Sequence, residues 1–251
     1  MQYFGKAYKY RSFGGFDDEI KKRIRRTFIE KKIYFSGPNN VNDPLDCSPD
    51  LSWEPSELRK YVIDLSKKNG HKLTSAQISG TMHYFIINAK ENYFQTLMSG
   101  SVSIYCMSKN PSLSTQWAYY GGNHTGYCIE FEIDRNFTSP CVAVEYSSAR
   151  PSVDLVKFQT NEKYCRDTLI HVVRQKCHEW EKEEEVRALQ AKEGLYEVPP
   201  ESITGVIFGM RTTIEHKEFI KDVLDESGIN PRLFEIEQVK ASYELHKKPL
   251  F

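Results

Sequence analysis

The sequence predicts an α+β fold, a single domain spanning 1–251 with a mixed, largely antiparallel sheet, flanking helices and a helical insertion. Three observations lead there. Short alternating or apolar runs of strand length recur along the chain. Segments with apolar residues at helical spacing separate many of them. A long helical stretch at 55–98 divides the strand-forming regions, which makes it an insertion.

Ala7-Tyr-Lys-Tyr-Arg11 alternates like a short strand. Asp17-Asp-Glu19 then opens a helix with the acidic residues that a helix N-terminus favours. Ile20, Ile24 and Phe28 recur at helical spacing and form its buried stripe. Lys21, Lys22, Arg23, Arg25 and Arg26 occupy the other faces, making this the most basic helix of the chain. They form either a solvated face or a contact for phosphate or RNA.

Ile33-Tyr-Phe-Ser36 reads as a second strand, ended by Gly37-Pro38. Asn39 to Asp50 is rich in Asn, Asp and Pro and forms a structured loop. One helix follows Pro55 and closes at Asn69-Gly70. Another starts near Thr74, a favourable N-cap, and runs to about Met98 through Ile78, Met82, Phe85, Ala89 and Tyr93. Strands are expected at Ser101 to Cys106, Gly126 to Ile133 and Val142 to Tyr146. Residues 154–180 form one or two helices, and Ile203 to Gly209 a short buried strand. Ile214 to Glu226 is a helix closed by Gly228. Strands at Leu233 to Val239 and Ser242 to His246 complete the chain, with antiparallel pairing expected near its end.

Composition narrows the function classes. Lys plus Arg equals Asp plus Glu at 34 each, so no global field draws the protein to nucleic acid or membrane. Any such binding comes from local patches. Fifteen Tyr and fourteen Phe supply core volume that a modest aliphatic content does not. No apolar run approaches the length of a membrane span, so no membrane partner is expected. The opening Met-Gln-Tyr-Phe-Gly-Lys lacks a signal peptide's apolar core, which predicts a cytoplasmic protein. Cysteines 47, 106, 128, 141, 165 and 177 match no zinc spacing and read as small buried hydrophobes. Cys177-His178 near His171 is the best metal fragment, and no metal is predicted.

The acidic tract Trp180-Glu-Lys-Glu-Glu-Glu-Val-Arg187 carries the most information. Carboxylates this close repel, so solvent, a cation or a task must compensate. Residues two apart share a strand face, which puts Glu183, Glu185 and Arg187 on one side and Glu184 on the other. The tract is either a solvated helix end or a site. Asn42-Asp-Pro-Leu-Asp46 is either a rigid turn, since Asn and Asp bond their own backbone, or a carboxylate pocket lining. Glu130 and Glu132 share a strand face with Cys128, and that face is either solvated or lines a cleft.

Together these motifs resemble a bacterial family described only as a domain of unknown function. The resemblance rests on Lys9-Tyr-Arg-Ser12, Ile33-Tyr-Phe-Ser36, Asn42-Asp-Pro-Leu-Asp46, Cys106-Met-Ser108 and Trp117-Ala-Tyr-Tyr120. It continues through His124-Thr-Gly-Tyr-Cys-Ile-Glu-Phe131, the tract Lys176, Trp180, Glu183-x-Glu185-x-Arg187, and Val206-Ile-Phe-Gly209. One departure is Tyr119, where the family is expected to carry His.

The N-terminal order is also similar to ADP-ribosyltransferase-like proteins. That likeness implies Arg11, Ser36 and Glu185 as an Arg-Ser-Glu set, with Glu183-x-Glu185 as its Glu-x-Glu. It implies NAD as substrate. Glu185 would stabilise an oxocarbenium-like sugar, and Glu183 would orient or deprotonate the acceptor. Arg11 would hold the pyrophosphate. Ser36 would hydrogen-bond a ribose hydroxyl or position Glu185, with Ser12 beside Arg11 also on the cofactor; His124, in a tight turn before a strand, is either a turn residue or a contact for a ligand phosphate. Tyr10, Tyr34 or Phe35 would stack on nicotinamide. The implied protein is a toxin or anti-phage defence effector that modifies nucleic acid or protein and is held by an antitoxin or immunity partner. Two other functions stand beside it. One is a Mg²⁺ nuclease using Asp43, Asp46, Glu183 and Glu185, gripping nucleic acid with basic residues 21 to 32. The other is a non-catalytic binding module.

Overall fold

The computed structural model describes residues 2–90, 94, 98 and 100–250. They form two compact units, one made of 1–36, 103–144 and 179–251, the other of 37–102 and 145–178. The strands in chain order are β1 Gly5–Arg11, β2 Lys32–Phe35, β3 Asp50–Ser52, β4 Ser103–Ser108, β5 Tyr127–Ile133, β6 Cys141–Ala143 and β7 Glu145–Ser147. They continue as β8 Ser152–Asp154, β9 Gln175–Cys177, β10 Glu185–Gln190, β11 Gly194–Glu197, β12 Ile203–Phe208, β13 Arg232–Gln238 and β14 Leu245–Pro249. The helices are α1 Asp18–Phe28, α2 Pro55–Lys68, α3 Ser75–Lys90, α4 Ser114–Tyr119, α5 Leu155–Thr160, α6 Glu162–Arg174 and α7 Ile214–Ser227.

The first unit carries an eight-stranded sheet in the order β14-β13-β12-β5-β1-β4-β10-β6. Every neighbouring pair is antiparallel except β12 and β13, so the sheet is mixed and largely antiparallel as expected. The parallel pair follows from α7, which carries the chain from the end of β12 back to the start of β13. β1 pairs with β5 without interruption from Gly5↔Ile133 to Arg11↔Tyr127. In-register residues share a face. Ala7, Ile129, Phe131 and Tyr127 therefore join one core, covered by Ile24 and Phe28 of α1 and Ile220, Val223 and Leu224 of α7. Tyr8, Tyr10 and Cys128 face the other way, into a second cluster with Trp117, Ile207 and Phe234.

Local signals set the helix ends. Asp17 accepts a hydrogen bond from the Ile20 amide and caps α1, and Ile24 and Phe28 are buried on its inner face. Thr213 caps α7 at its start, and Gly228 ends it in the left-handed conformation at φ 71°.

The second unit packs α2 on α3 and α5 through Leu58, Val62, Ile78 and Val156. Thr74 and Gln77 form a reciprocal cap ahead of α3. The helices expected as an insertion at 55–98 thus belong to a unit that also takes up 37–54 and 145–178. Tyr93 and the side chain of Ala89, both expected on the second of them, lie outside the described residues. Two short parallel pairs, β3 with β8 and β7 with β9, complete this unit. Among the described residues no helix is long and apolar enough to cross a membrane.

Candidate functional site

The acidic tract is not a solvated charge run. Glu183 and Glu185 are buried, at 8% and 4% exposure. A regular strand does not achieve this. His178–Glu183 is a 3-10 helix, Glu184 adopts a left-handed backbone at φ 48°, and β10 starts only at Glu185. The left-handed residue turns the chain so that both flanking carboxylates point inward while Glu184 stays exposed. The Glu184 carbonyl accepts the Lys109 amide, and its carboxylate accepts from Asn110 at 3.2 Å.

Each buried carboxylate has partners. Glu183 accepts from the Tyr120 hydroxyl at 3.0 Å, and its carbonyl accepts from the Ser108 hydroxyl at 2.7 Å. Arg187, fully buried, donates through Nε and an Nη to the two oxygens of Glu185 at 2.8 and 3.1 Å. This planar fork is the geometry in which Arg holds a carboxylate best. Glu185 lies in register with Ser108, and Arg187 with Cys106. Ser108 is in turn in register with Tyr8. Tyr8, Cys106, Ser108, Glu185 and Arg187 therefore share one face. Burial, and then Glu185, raise the Cys106 thiol above its usual range, so it stands there as a neutral thiol.

Arg11 leaves β1 on the opposite face. Its guanidinium sits 5.8 Å from the Tyr105 ring centroid, and its register partner is Tyr127. Strand alternation thus separates the Arg11 and Glu185 side chains, which sequence reasoning had brought together. The gap between their strands is bridged by a residue that reasoning passed over. β1 and β4 are in register at Tyr8↔Ser108 alone, and at its other end β4 bridges Ser36 through Ile104. Between these points the Lys9 ammonium donates to the Cys106 carbonyl at 2.7 Å, where a strand partner's amide would otherwise serve. Burial, and then Arg11, lower Lys9 to about 8, while Cys106 and Glu185 act to raise it. Lys9 therefore senses both sides of the gap.

The remaining candidates scatter. Ser36 is held by its backbone, exchanging both hydrogen bonds with Ile104. Tyr10 is a core residue, edge-on to Trp117 at 5.0 Å and donating to the Asn110 carbonyl at 2.6 Å, so it offers no ring for nicotinamide stacking. Tyr34 points outward and donates to Glu193, because β2 buries Ile33 and Phe35 instead. Ser12 is a turn residue that accepts from the Gly14 amide. His124 sits in a tight turn at φ 68°, stacked on Trp117. Burial, and then Arg211, lower its pKa, and its Nδ1 has no hydrogen-bond partner. Tyr119, the departing position, is 73% exposed at the end of α4.

The Glu130 face is neither solvated nor a cleft. Glu130 is fully buried and accepts from Lys6 at 2.7 Å, from Thr204 at 3.0 Å and from Lys247. In the second unit, Asp43 accepts the Leu45 amide in an Asx turn, and buried Asp46 lies 3.7 Å from the Lys176 ammonium. Cys177 and His178 are 4.0 Å apart. Among the described residues no group of three or more His, Cys, Asp or Glu side chains is placed to hold a metal.

Sequence reasoning gave Lys9 no role and named Arg23 only among the basic residues of α1. Lys9 was signalled by its position two residues from Arg11, hence on the same face. Arg23 was signalled by standing three residues after Ile20, at the edge of the α1 apolar stripe. No family model, no curated protein and no solved structure matches this chain. Fold and site define it as an α+β protein with buried carboxylates on one face of its sheet and, on the other, cations that have no ion-pair partner among the described residues.

Proposed function

We propose that the protein is an NAD-dependent ADP-ribosyltransferase acting on nucleic acid or protein. The observation that supports this most is the pair of buried carboxylates, Glu183 and Glu185, at the head of β10. Across the β1–β4 gap stands Arg11, without an ion-pair partner among the described residues. Such a pairing suits a substrate with anionic phosphates at one end and a sugar that becomes cationic at the other.

In this reading Arg11 takes the pyrophosphate. The bond between the ribose anomeric carbon and the nicotinamide nitrogen breaks, and nicotinamide leaves with the bonding pair as a neutral base. Glu185, oriented by the Arg187 fork, stabilises the sugar cation. The acceptor's nucleophilic atom bonds to the anomeric carbon, and its proton passes to Glu183, which the Tyr120 hydroxyl orients. Because Arg11 and Glu185 leave opposite faces, the substrate spans the gap that Lys9 crosses. Lys9→Ala then alters the KM for NAD.

The test is nicotinamide release from NAD, with nucleic acid and protein acceptors supplied in turn. The expected result is release by the native protein and at least a 100-fold loss in Glu185→Gln that circular dichroism shows to be folded. Release that persists in that folded variant, or no release with any acceptor, overturns the proposal.

A further inference from the structure

Three cations converge on the covered face of the sheet, away from Glu185. Lys9 and Arg11 are two apart on β1, so they share a face; both approach Tyr105, and Arg11 is also in register with Tyr127. The Lys9 ammonium lies 4.8 Å from the Tyr105 ring centroid, and the Arg11 guanidinium lies 5.8 Å from it. Arg23 reaches the same place from α1. Its guanidinium donates to the Ser12 carbonyl at 3.0 Å; burial raises the Tyr127 phenol, and the Arg11 and Arg23 charges both oppose that rise.

None of the three is ion-paired among the described residues. Several other basic residues of this unit are ion-paired: Lys6 and Lys247 share Glu130, Arg25 takes Glu226 and Lys217 takes Glu235. The Nε of Arg23 is buried with no acceptor at all. A buried donor without a partner is costly, and like charges this close repel. An anion bound among them relieves both.

We propose that Lys9, Arg11 and Arg23, with the Tyr105 and Tyr127 hydroxyls, form a binding site for a phosphoryl group. Two planar guanidiniums, one point charge and two phenols approach from different directions. That suits the several oxygens of a tetrahedral phosphate better than the two oxygens of a carboxylate. Arg11 is shared with the transferase reading, but the site holds a phosphoryl group whatever Glu185 does. The ligand is either a free nucleotide or the phosphate end of a nucleic acid, and both present the same chemistry.

Calorimetric titration with inorganic pyrophosphate in low salt tests the site. The expected result is one binding site per chain, weakened at least 10-fold in Arg23→Gln and in Lys9→Gln. Affinity stays unchanged in Lys22→Gln, which alters an exposed lysine of α1. Thermal melts establish that each variant is folded, and Arg23→Lys serves in place of Arg23→Gln if the latter does not fold. Titration with ADP and with a 5′-phosphorylated oligonucleotide then names the source, and tighter binding of either supports the site. No binding of any of the three ligands overturns the proposal. So does pyrophosphate binding that survives both Arg23→Gln and Lys9→Gln. No nicotinamide release by the native protein with any acceptor, while pyrophosphate binding is intact, refutes only the transferase reading.

Discussion

Gly126→Ala is the sharpest test of how the Arg11 end of β1 is held. A Cβ at Gly126 would lie 2.1 Å from the Arg11 carbonyl oxygen, 2.7 Å from the Gly121 oxygen and 3.0 Å from the Gly121 carbonyl carbon. All three are backbone atoms, so no side-chain rotation relieves the clash. Gly126 cannot retreat either. Its amide donates to Gly121 at 2.8 Å, and its carbonyl accepts the Gly209 amide at 3.0 Å and the Thr212 hydroxyl at 2.7 Å. Overpacking typically costs about 1–3 kcal/mol, and shifting the strand end forfeits one or two hydrogen bonds at about 1 kcal/mol each. The expected loss is about 2–5 kcal/mol, or a melting temperature lower by roughly 10 °C. Urea and thermal denaturation measure it. Gly80→Ala is the control: Gly80 lies in α3 with nothing within 4 Å of a new Cβ, so that change should stabilise by about 0.5–1 kcal/mol. A Gly126→Ala protein within about 1 kcal/mol of the native chain refutes the reasoning.

Three further outcomes are expected. Burial acts to raise Glu130, but hydrogen bonds from Lys247 and Lys6 hold it down to about 2, below its value of about 4.3 in the unfolded chain. Its contribution, about 3 kcal/mol, is complete above about pH 5 and lost as pH falls through 4 toward 2. Acid titrations of Glu130→Gln should lack that portion of the curve; identical acid midpoints contradict it. Lys9, lowered to about 8 by burial and Arg11 against Cys106, Glu185 and Cys128, loses its charge as pH rises through that value. Pyrophosphate affinity should therefore fall between pH 7 and 9.5 in the native protein and less so in Lys9→Arg, and equal slopes contradict the assignment. Arg187→Met removes the fork from buried Glu185 and should cost about 3–5 kcal/mol in urea unfolding, with Arg187→Lys recovering only part because an ammonium cannot form the fork. A loss under about 1 kcal/mol in Arg187→Met argues against it.

The elements were readable where one residue pattern decides the structure. Ile20, Ile24 and Phe28 mark the inner face of α1, Asp17 its cap and Gly228 the end of α7. The apolar run of β12 and the alternation of β1 were equally plain. The parallel pairing of β12 with β13 was not, because it depends on where α7 returns the chain. The site was harder to read for the same reason. Each strand states its own two faces, but whether Arg11 and Glu185 share one is set by the register of β10 on β4 and β4 on β1. No local pattern carries that. That Glu183 and Glu185 point to one side was expected from an incomplete argument: the left-handed Glu184, not strand alternation alone, turns both inward. Arg23 was read with its basic neighbours as either a solvated face or a phosphate contact, and its Nε is buried. Charge content does not reveal which cation of a helix faces a neighbouring tyrosine.

The most direct test of the account is a crystal structure of the protein with ADP-ribose. The account predicts the phosphates among Lys9, Arg11 and Arg23, with the terminal ribose reaching across the β1–β4 gap to within hydrogen-bonding distance of Glu185. Phosphates bound away from these three cations, or a terminal ribose remote from Glu185, would contradict it.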